Sequence, residues 1–173
     1  MLSANFCGSP GHRQLMDILI REASLQDLDT IVRFNAAMAR ETEDKELPAS
    51  IVTQGVRRVL SDPGCGQYFI AVADEQVVGQ LMFTLEWSDW RNGWFWWIQS
   101  VYVAPDWRGK RVFSTLYKHL EVLARADKEV CGLRLYVNAG NTSAQATYHS
   151  LGMASTDYRV MEAVFDSGDS ANA

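Results

Sequence analysis

Between residues 67 and 103 three strand-like runs follow one another with almost nothing between them, and this constrains the fold more than any other feature. QYFIAVAD (67–74), QVVGQLMFTLEW (76–87) and GWFWWIQSVYV (93–103) are rich in β-branched and aromatic residues. A tight turn at Asp74-Glu75 separates the first two, and the turn SDWRNG (88–93) separates the second from the third. Connections this short join only antiparallel neighbours, because a parallel pair needs a crossover of a dozen or more residues.

The chain on either side adds helices. ILIREA (18–23) reads as a first strand, and Ser24 as the N-cap of a helix with Asp27 at its third position. Leu28, Ile31, Val32, Asn35, Met38 and Ala39 keep helical spacing up to a charged break, ETEDKE (41–46). Pro48 opens a second helix with Val52, Val56, Val59 and Leu60 on one face, and SDPGCG (61–66) ends it. After the meander, Val112, Leu116, Leu120 and Leu123 share a face, so a helix runs to about Ala126 and LRLYVNA (133–139) follows as a strand. That helix is a crossover, which makes the last pairing parallel. Asn141-Thr142 start a further helix, with Thr142 and Gln145 spaced as a capping box and Gly152 at its end. DYRVMEAVF (157–165) is expected as a final strand. The order β-α-α-β-β-β-α-β-α-β predicts an α/β (α+β) fold, with a mixed, mostly antiparallel central sheet of about six to seven strands and helices on both faces.

At 173 residues the chain makes one domain with a good core. That domain is expected over 17–166, between a flexible extension at 1–16 and a flexible tail at 167–173. Net charge is −5, which argues against non-specific nucleic-acid binding and mildly favours cationic partners such as amines. Cys7, Cys65 and Cys131 are odd in number and widely spaced, with no Cys-x-x-Cys. This supports neither a disulfide framework nor a zinc site and fits a reduced, cytoplasmic setting. No apolar run reaches transmembrane length, and the start lacks the apolar core of a signal peptide, so no membrane partner is expected.

The stretch WWIQSVYVAPDWRGKRVFSTLY places a basic turn, Arg108-Gly109-Lys110-Arg111, between a strand and a helix start. A helix N-terminus exposes unpaired N–H groups and partial positive charge, so it attracts phosphate. Gly109 allows the tight turn, and Arg111 needs no positive φ if it belongs to a helical first turn. The plainer reading is a solvated basic face. A second segment weighs against that reading. Asn141, Ala144, Tyr148 and Gly152 are spaced as N-x-x-A-x-x-x-Y-x-x-x-G, with Met153 following.

Together these two segments resemble the GCN5-related N-acetyltransferase (GNAT) family over roughly residues 17–165. Arg108 matches the first position of that family's [Q/R]-x-x-G-x-[G/A] loop, while Arg111 and Phe113 stand where the family has small residues. The resemblance implies that acetyl-CoA is the acetyl donor, with its pyrophosphate held by the backbone of Arg108, Gly109, Lys110, Arg111, Val112, Phe113 and Ser114. It also implies a splay between the strands at 98–103 and 133–138. The pantetheine arm would lie there against Val101, Tyr102 and Val103, with Asn141 and Ala144 nearby. Tyr148 would act on the departing thiolate, while Asn141 is also a natural helix cap. The acceptor would be a small-molecule or peptide amine.

An amine acceptor must lose a proton, and the segment between Trp90 and Pro105 holds no carboxylate. Glu86 and Asp89, at the end of the neighbouring strand, are the candidates for a base, and solvent-facing strand-end acids are the alternative. Trp87, Trp90, Trp94, Trp96, Trp97 and Trp107 crowd one region. They are either an acceptor wall or core packing plus a homodimer contact, and alternation puts Trp96 and Trp97 on opposite faces. No metal-ligand constellation is visible. An N-acetyltransferase is therefore expected, with a catalytically weak acyl-CoA-binding regulatory module of the same fold as the alternative.

Overall fold

The computed structural model describes residues 17–165. The extension expected at 1–16 and the tail expected at 167–173 lie outside the described residues. Contacts divide the chain into one unit ending at Tyr136 and a second beginning at Val137.

The first unit holds a five-stranded sheet in the order β1-β2-β3-β4-β5. The strands are β1 (Leu19–Glu22), β2 (Gln67–Ala73), β3 (Gln76–Ser88), β4 (Gly93–Val103) and β5 (Val130–Leu135). The expected meander is present: β1 to β4 pair antiparallel, and β5 joins β4 in parallel after a helical crossover. Asp74 and Glu75 both adopt positive φ, 47° and 62°, which matches the two-residue hairpin to the twist of β2 and β3.

Helices α1 (Leu28–Glu43) and α2 (Ala49–Ser61) cover one face of this sheet. Leu28, Ile31 and Val56 meet Tyr68, Ile70 and Met82 there in a single apolar cluster. Ser24 does cap the chain into α1, and its capping box with Asp27 closes a short 3-10 turn before the α-helix begins. Helix α3 (Val112–Ala126) covers the opposite face. A methyl at Gly79 would sit 2.8 Å from Val112, and His119 meets Phe69 edge to face at 5.0 Å. Val112, Leu116 and Leu120 are buried as expected, but Leu123 is exposed and Tyr117 and Ala124 take the inner positions.

Helix α4 (Thr142–Ser150) belongs to the second unit. Its N-cap is Asn141, whose Oδ1 accepts the Ala144 amide at 3.0 Å. No capping box forms at Thr142, because Gln145 donates instead to the carbonyls of Asn138 and Ala139. Gly152, at φ 88°, ends the helix, and the Met153 amide returns to the Tyr148 carbonyl at 3.1 Å.

Three further expectations are corrected. The sheet has five strands rather than six to seven, because 157–165 forms no strand. Strand propensity acts only where an edge and a packed face are available, and here Tyr158, Met161 and Phe165 are 83%, 94% and 89% exposed. β5 starts and ends earlier than 133–139, since Asn138 turns the chain by accepting the Gly140 amide at 2.8 Å. α1 runs past the expected break at Glu41 and stops at Asp44, whose φ of 52° gives a left-handed cap.

Candidate active site

β4 carries the centre of the site. Its pairing with β5 stops at Ile98 opposite Leu135, while β4 itself runs on through Val103. On the β3 side the ladder shifts register: Gln80 faces Tyr102, yet Met82 faces Gln99. Ser100 takes up the extra residue at φ 49°. This is a bulge, which re-aims the strand and frees backbone groups.

A buried polar group supports the bulge. Gln80, fully buried, donates through Nε2 to Asn35 Oδ1 at 2.7 Å and to the Ser100 carbonyl at 3.2 Å. Asn35 in turn donates to the Tyr68 hydroxyl at 3.1 Å. Burial pushes the Tyr68 phenol upward, so it stays protonated within this network. Gln80 Oε1 has no hydrogen-bond partner among the described residues. The sequence signal for this group was a lone glutamine in the middle of the apolar run VVGQLMF.

Past β4, a 3-10 turn (Pro105–Trp107) leads into the basic turn and α3. Gly109 has φ 71° with open space around its α-carbon. Arg111 is the N-cap of α3 and is left-handed, at φ 65° and ψ 12°. The expectation that this position needs no positive φ is therefore corrected, and the correction explains why a glycine suits it. Val112, Phe113 and Ser114 form the first turn of α3, where amides have no intrahelical acceptor. Lys110 lies 4.9 Å over the Trp107 ring.

Arg108 is engaged within the protein. Its Nε donates to the Val103 carbonyl at 3.0 Å and its Nη2 to Glu41 at 2.5 Å. Tyr102 also donates to Glu41, at 2.8 Å. The Tyr102 hydroxyl and then Arg108 hold the Glu41 carboxyl below its ordinary range, so it is an anion at neutral pH. Desolvation, reinforced by Glu41, raises the Tyr102 phenol. Glu41 opens the stretch read as a charged break, and its tie to the basic turn had no signal in the sequence.

The candidate bases are separated. Glu86, on β3, is ion-paired with Arg134 of β5. Asp89 lies in the β3–β4 turn and accepts the Trp90 amide at 2.9 Å. The tryptophans are dispersed, as alternation requires. Trp96 stacks on Phe83 at 4.2 Å, Trp97 meets Tyr136 at 5.9 Å, Trp87 meets Trp94 at 4.9 Å, and Trp90 is exposed.

In the second unit, Asn141, Ala144 and Tyr148 lie on successive turns of the α4 region. Burial raises the Tyr148 phenol, so it carries its proton across the physiological range. Among the described residues no three His, Cys, Asp or Glu side chains converge as a metal site, and no helix is long and apolar enough to cross a membrane.

The architecture has known counterparts. A possible acetyltransferase from Clostridium difficile 630 is 46% identical, with a TM-score of 0.80 over 86% of this chain and 98% of that one. The ribosomal-protein-alanine N-acetyltransferase from Brucella melitensis biovar Abortus 2308 is 18% identical, covering 87% and 100% at a TM-score of 0.70. A predicted acetyltransferase with acetyl-CoA from Clostridium acetobutylicum is 16% identical, covering 85% and 96% at the same TM-score of 0.70. The last two share the fold. No curated protein matches the sequence. The pattern of the Acetyltransferase (GNAT) family matches residues 14–153, so the chain belongs to the GNAT acetyltransferase family.

Proposed function

We propose that the protein is an N-acetyltransferase that moves an acetyl group from acetyl-CoA to a primary amine by direct attack in a ternary complex. The observation that carries this reading is the run from β4 to α3. A strand edge free of β5 beyond Ile98 leads into a turn with Gly109 and Arg111 both left-handed, and then into the first turn of a long helix. A free strand edge suits an amide-bearing arm, and the helix start suits a pyrophosphate. The chemistry of the donor groups therefore fits coenzyme A, with Val101, Tyr102 and Val103 along the arm and residues 108–114 at the phosphates.

In the reaction the amine nitrogen attacks the acetyl carbonyl, the C–N bond forms, the C–S bond breaks, and the thiolate leaves. Tyr148 is the group assigned to that thiolate. A phenol near pKa 10 is a weaker acid than a thiol near 8.5, so full proton transfer is uphill by about 2 kcal/mol. The upward shift at Tyr148 makes transfer harder still. Tyr148 therefore acts mainly by hydrogen-bonding the developing charge. Asn141 holds the start of α4, the helix that carries Tyr148.

A cytoplasmic setting agrees with the free thiols of Cys65 and Cys131. A homodimer would cover some of the exposed apolar side chains Tyr158, Met161, Val164 and Phe165.

The test is coenzyme A release from acetyl-CoA across an amine panel, with wild type and Tyr148→Phe. Tyr148→Phe should lower kcat by roughly tenfold to a thousandfold with little change in coenzyme affinity. Binding of acetyl-CoA without release for any amine would identify the alternative, a regulatory module of the same fold.

A further inference from the structure

The face of β3, β4 and β5 that carries Met82 continues beyond the cluster under α1 and α2. Register sets Thr84, Trp97 and Arg134 in one row, and Glu86, Phe95 and Gly132 in the next. Gly132 makes room for the Phe95 ring, since a methyl there would sit 2.8 Å from Cε1. The Arg134 guanidinium carbon lies 3.7 Å from the Phe95 ring centre and 5.8 Å from that of Trp97.

We propose that this face is a carboxylate-recognition subsite centred on Arg134, so that the acceptor is an amine that also carries a carboxylate. The inference rests on the acetyl-transfer reading and names its substrate class.

A guanidinium carries five N–H donors in one plane. Stacking on Phe95 uses the face of that plane and leaves its edges available, while Glu86 takes Nη1. Arg91 also lies over Phe95, at 5.3 Å. Two guanidinium groups thus lie against the Phe95 ring, and the Glu86 carboxylate pairs with one of them. Aromatic packing on one side lowers the local dielectric, which strengthens an Arg–carboxylate pair relative to one in open water.

The subsite also borders the end of the β4–β5 ladder, where the acetyl-transfer reading puts the coenzyme arm. Tyr136 donates to Gln99 Oε1 at 3.4 Å, and Gln99 donates to Thr84 Oγ1 at 2.7 Å. Gln99 is the first β4 residue past the end of pairing with β5. Arg134 thus sits two residues along β5 from the mouth, about 7 Å at strand rise. That separation suits an amine and a carboxylate at the two ends of one small molecule or peptide side chain. Trp97, in the Arg134 row, has a buried Nε1–H with no acceptor among the described residues, so the row there is short of acceptors rather than donors. Glu86 beside Arg134 disfavours a doubly charged phosphate and tolerates a ligand with an amine of its own.

The experiment measures kcat/KM with acetyl-CoA for L-amino acids that bear a side-chain amine, for the same compounds as α-amides, and for linear diamines. It uses the full chain as wild type, Arg134→Gln and Arg134→Lys. Wild type should prefer each free acid over its amide by at least tenfold, mostly through KM. The ratio should fall towards one in Arg134→Gln and recover in part in Arg134→Lys. A wild-type ratio near one in an active enzyme overturns the subsite and leaves acetyl transfer standing. An unchanged ratio in Arg134→Gln overturns it as well. Absence of turnover with every amine overturns the acetyl-transfer reading. In that case calorimetric binding of the acid over its amide by wild type still supports the subsite, and equal or absent binding overturns it.

Discussion

Arg108 donates through Nε to the carbonyl of Val103 at 3.0 Å. Both residues belong to the proposed coenzyme site, and the same guanidinium reaches back to Glu41 on α1. If acetyl-CoA binds at this turn, it meets a guanidinium that already has two partners in the protein. Arg108→Ala should weaken acetyl-CoA binding about tenfold, the scale of one lost charge-assisted hydrogen bond. Glu41→Gln should act in the opposite direction by loosening the hold on Arg108. Calorimetry on both variants checks the pair. Unchanged affinity in Arg108→Ala would confine Arg108 to tying α1 to the end of β4.

Arg111 stands left-handed at the N-cap of α3, at φ 65°. A non-glycine residue there carries about 1–2 kcal/mol of strain. Comparing Arg111→Gly with Arg111→Ala removes the side chain in both and the strain in only one. The glycine variant should be the more stable by about 1 kcal/mol, since glycine's larger chain entropy offsets part of the relief. Thermal unfolding of the two variants decides this, and an alanine variant equal to glycine would mean that the turn relaxes at no cost.

The meander, the crossover and the helix faces were legible because each is written in short-range periodicity. Val112, Leu116 and Leu120 announce α3, and the bounds of β4 are those read from GWFWWIQSVYV. What was not legible depends on pairing between distant residues. DYRVMEAVF has the composition of a strand, but composition does not supply an edge. Glu41 and Arg108 are 67 positions apart in sequence, and no local pattern links them. The bulge at Ser100 is silent too, because its cause lies on another strand, in Gln80. The Arg111 conformation was missed for a different reason: its role as N-cap rather than first-turn residue depends on where α3 begins, and boundaries are the least determined part of a periodic signal.

Asp27 accepts both Nη groups of Arg21, at 2.8 and 2.9 Å, and the Ser24 amide at 2.8 Å. The Arg21 bond is the main cause of its lowered pKa. A carboxyl whose folded pKa lies below its unfolded value near 3.9 adds stability that is fully present above that value and is lost as pH falls through the folded one. Stability should therefore decline as pH drops below about 4. Asp27→Asn should cost about 2 kcal/mol at neutral pH and flatten that decline. Urea unfolding from pH 3 to 7 measures both, and parallel curves for the two proteins would assign acid sensitivity to other carboxylates.

Deprotonation of the acceptor is the step for which the site offers least. No carboxylate lies between Trp90 and Pro105, and Glu86 is committed to Arg134. An amine of pKa about 10.4 costs on the order of 4–5 kcal/mol to neutralise at pH 7, and one near pKa 8 about 1.4 kcal/mol. If water carries the proton away, kcat/KM should rise with pH along a limb set by the amine's own pKa. Two acceptors differing in pKa should then show limbs at different pH. Asp89→Asn should shift neither limb appreciably, whereas loss of a true base costs about a hundredfold or more. The measurement is a pH–rate profile for both amines with wild type and the variant. Limbs that coincide near pH 6–7 for both amines would mean that a group of the enzyme is titrating, and the water route would be wrong.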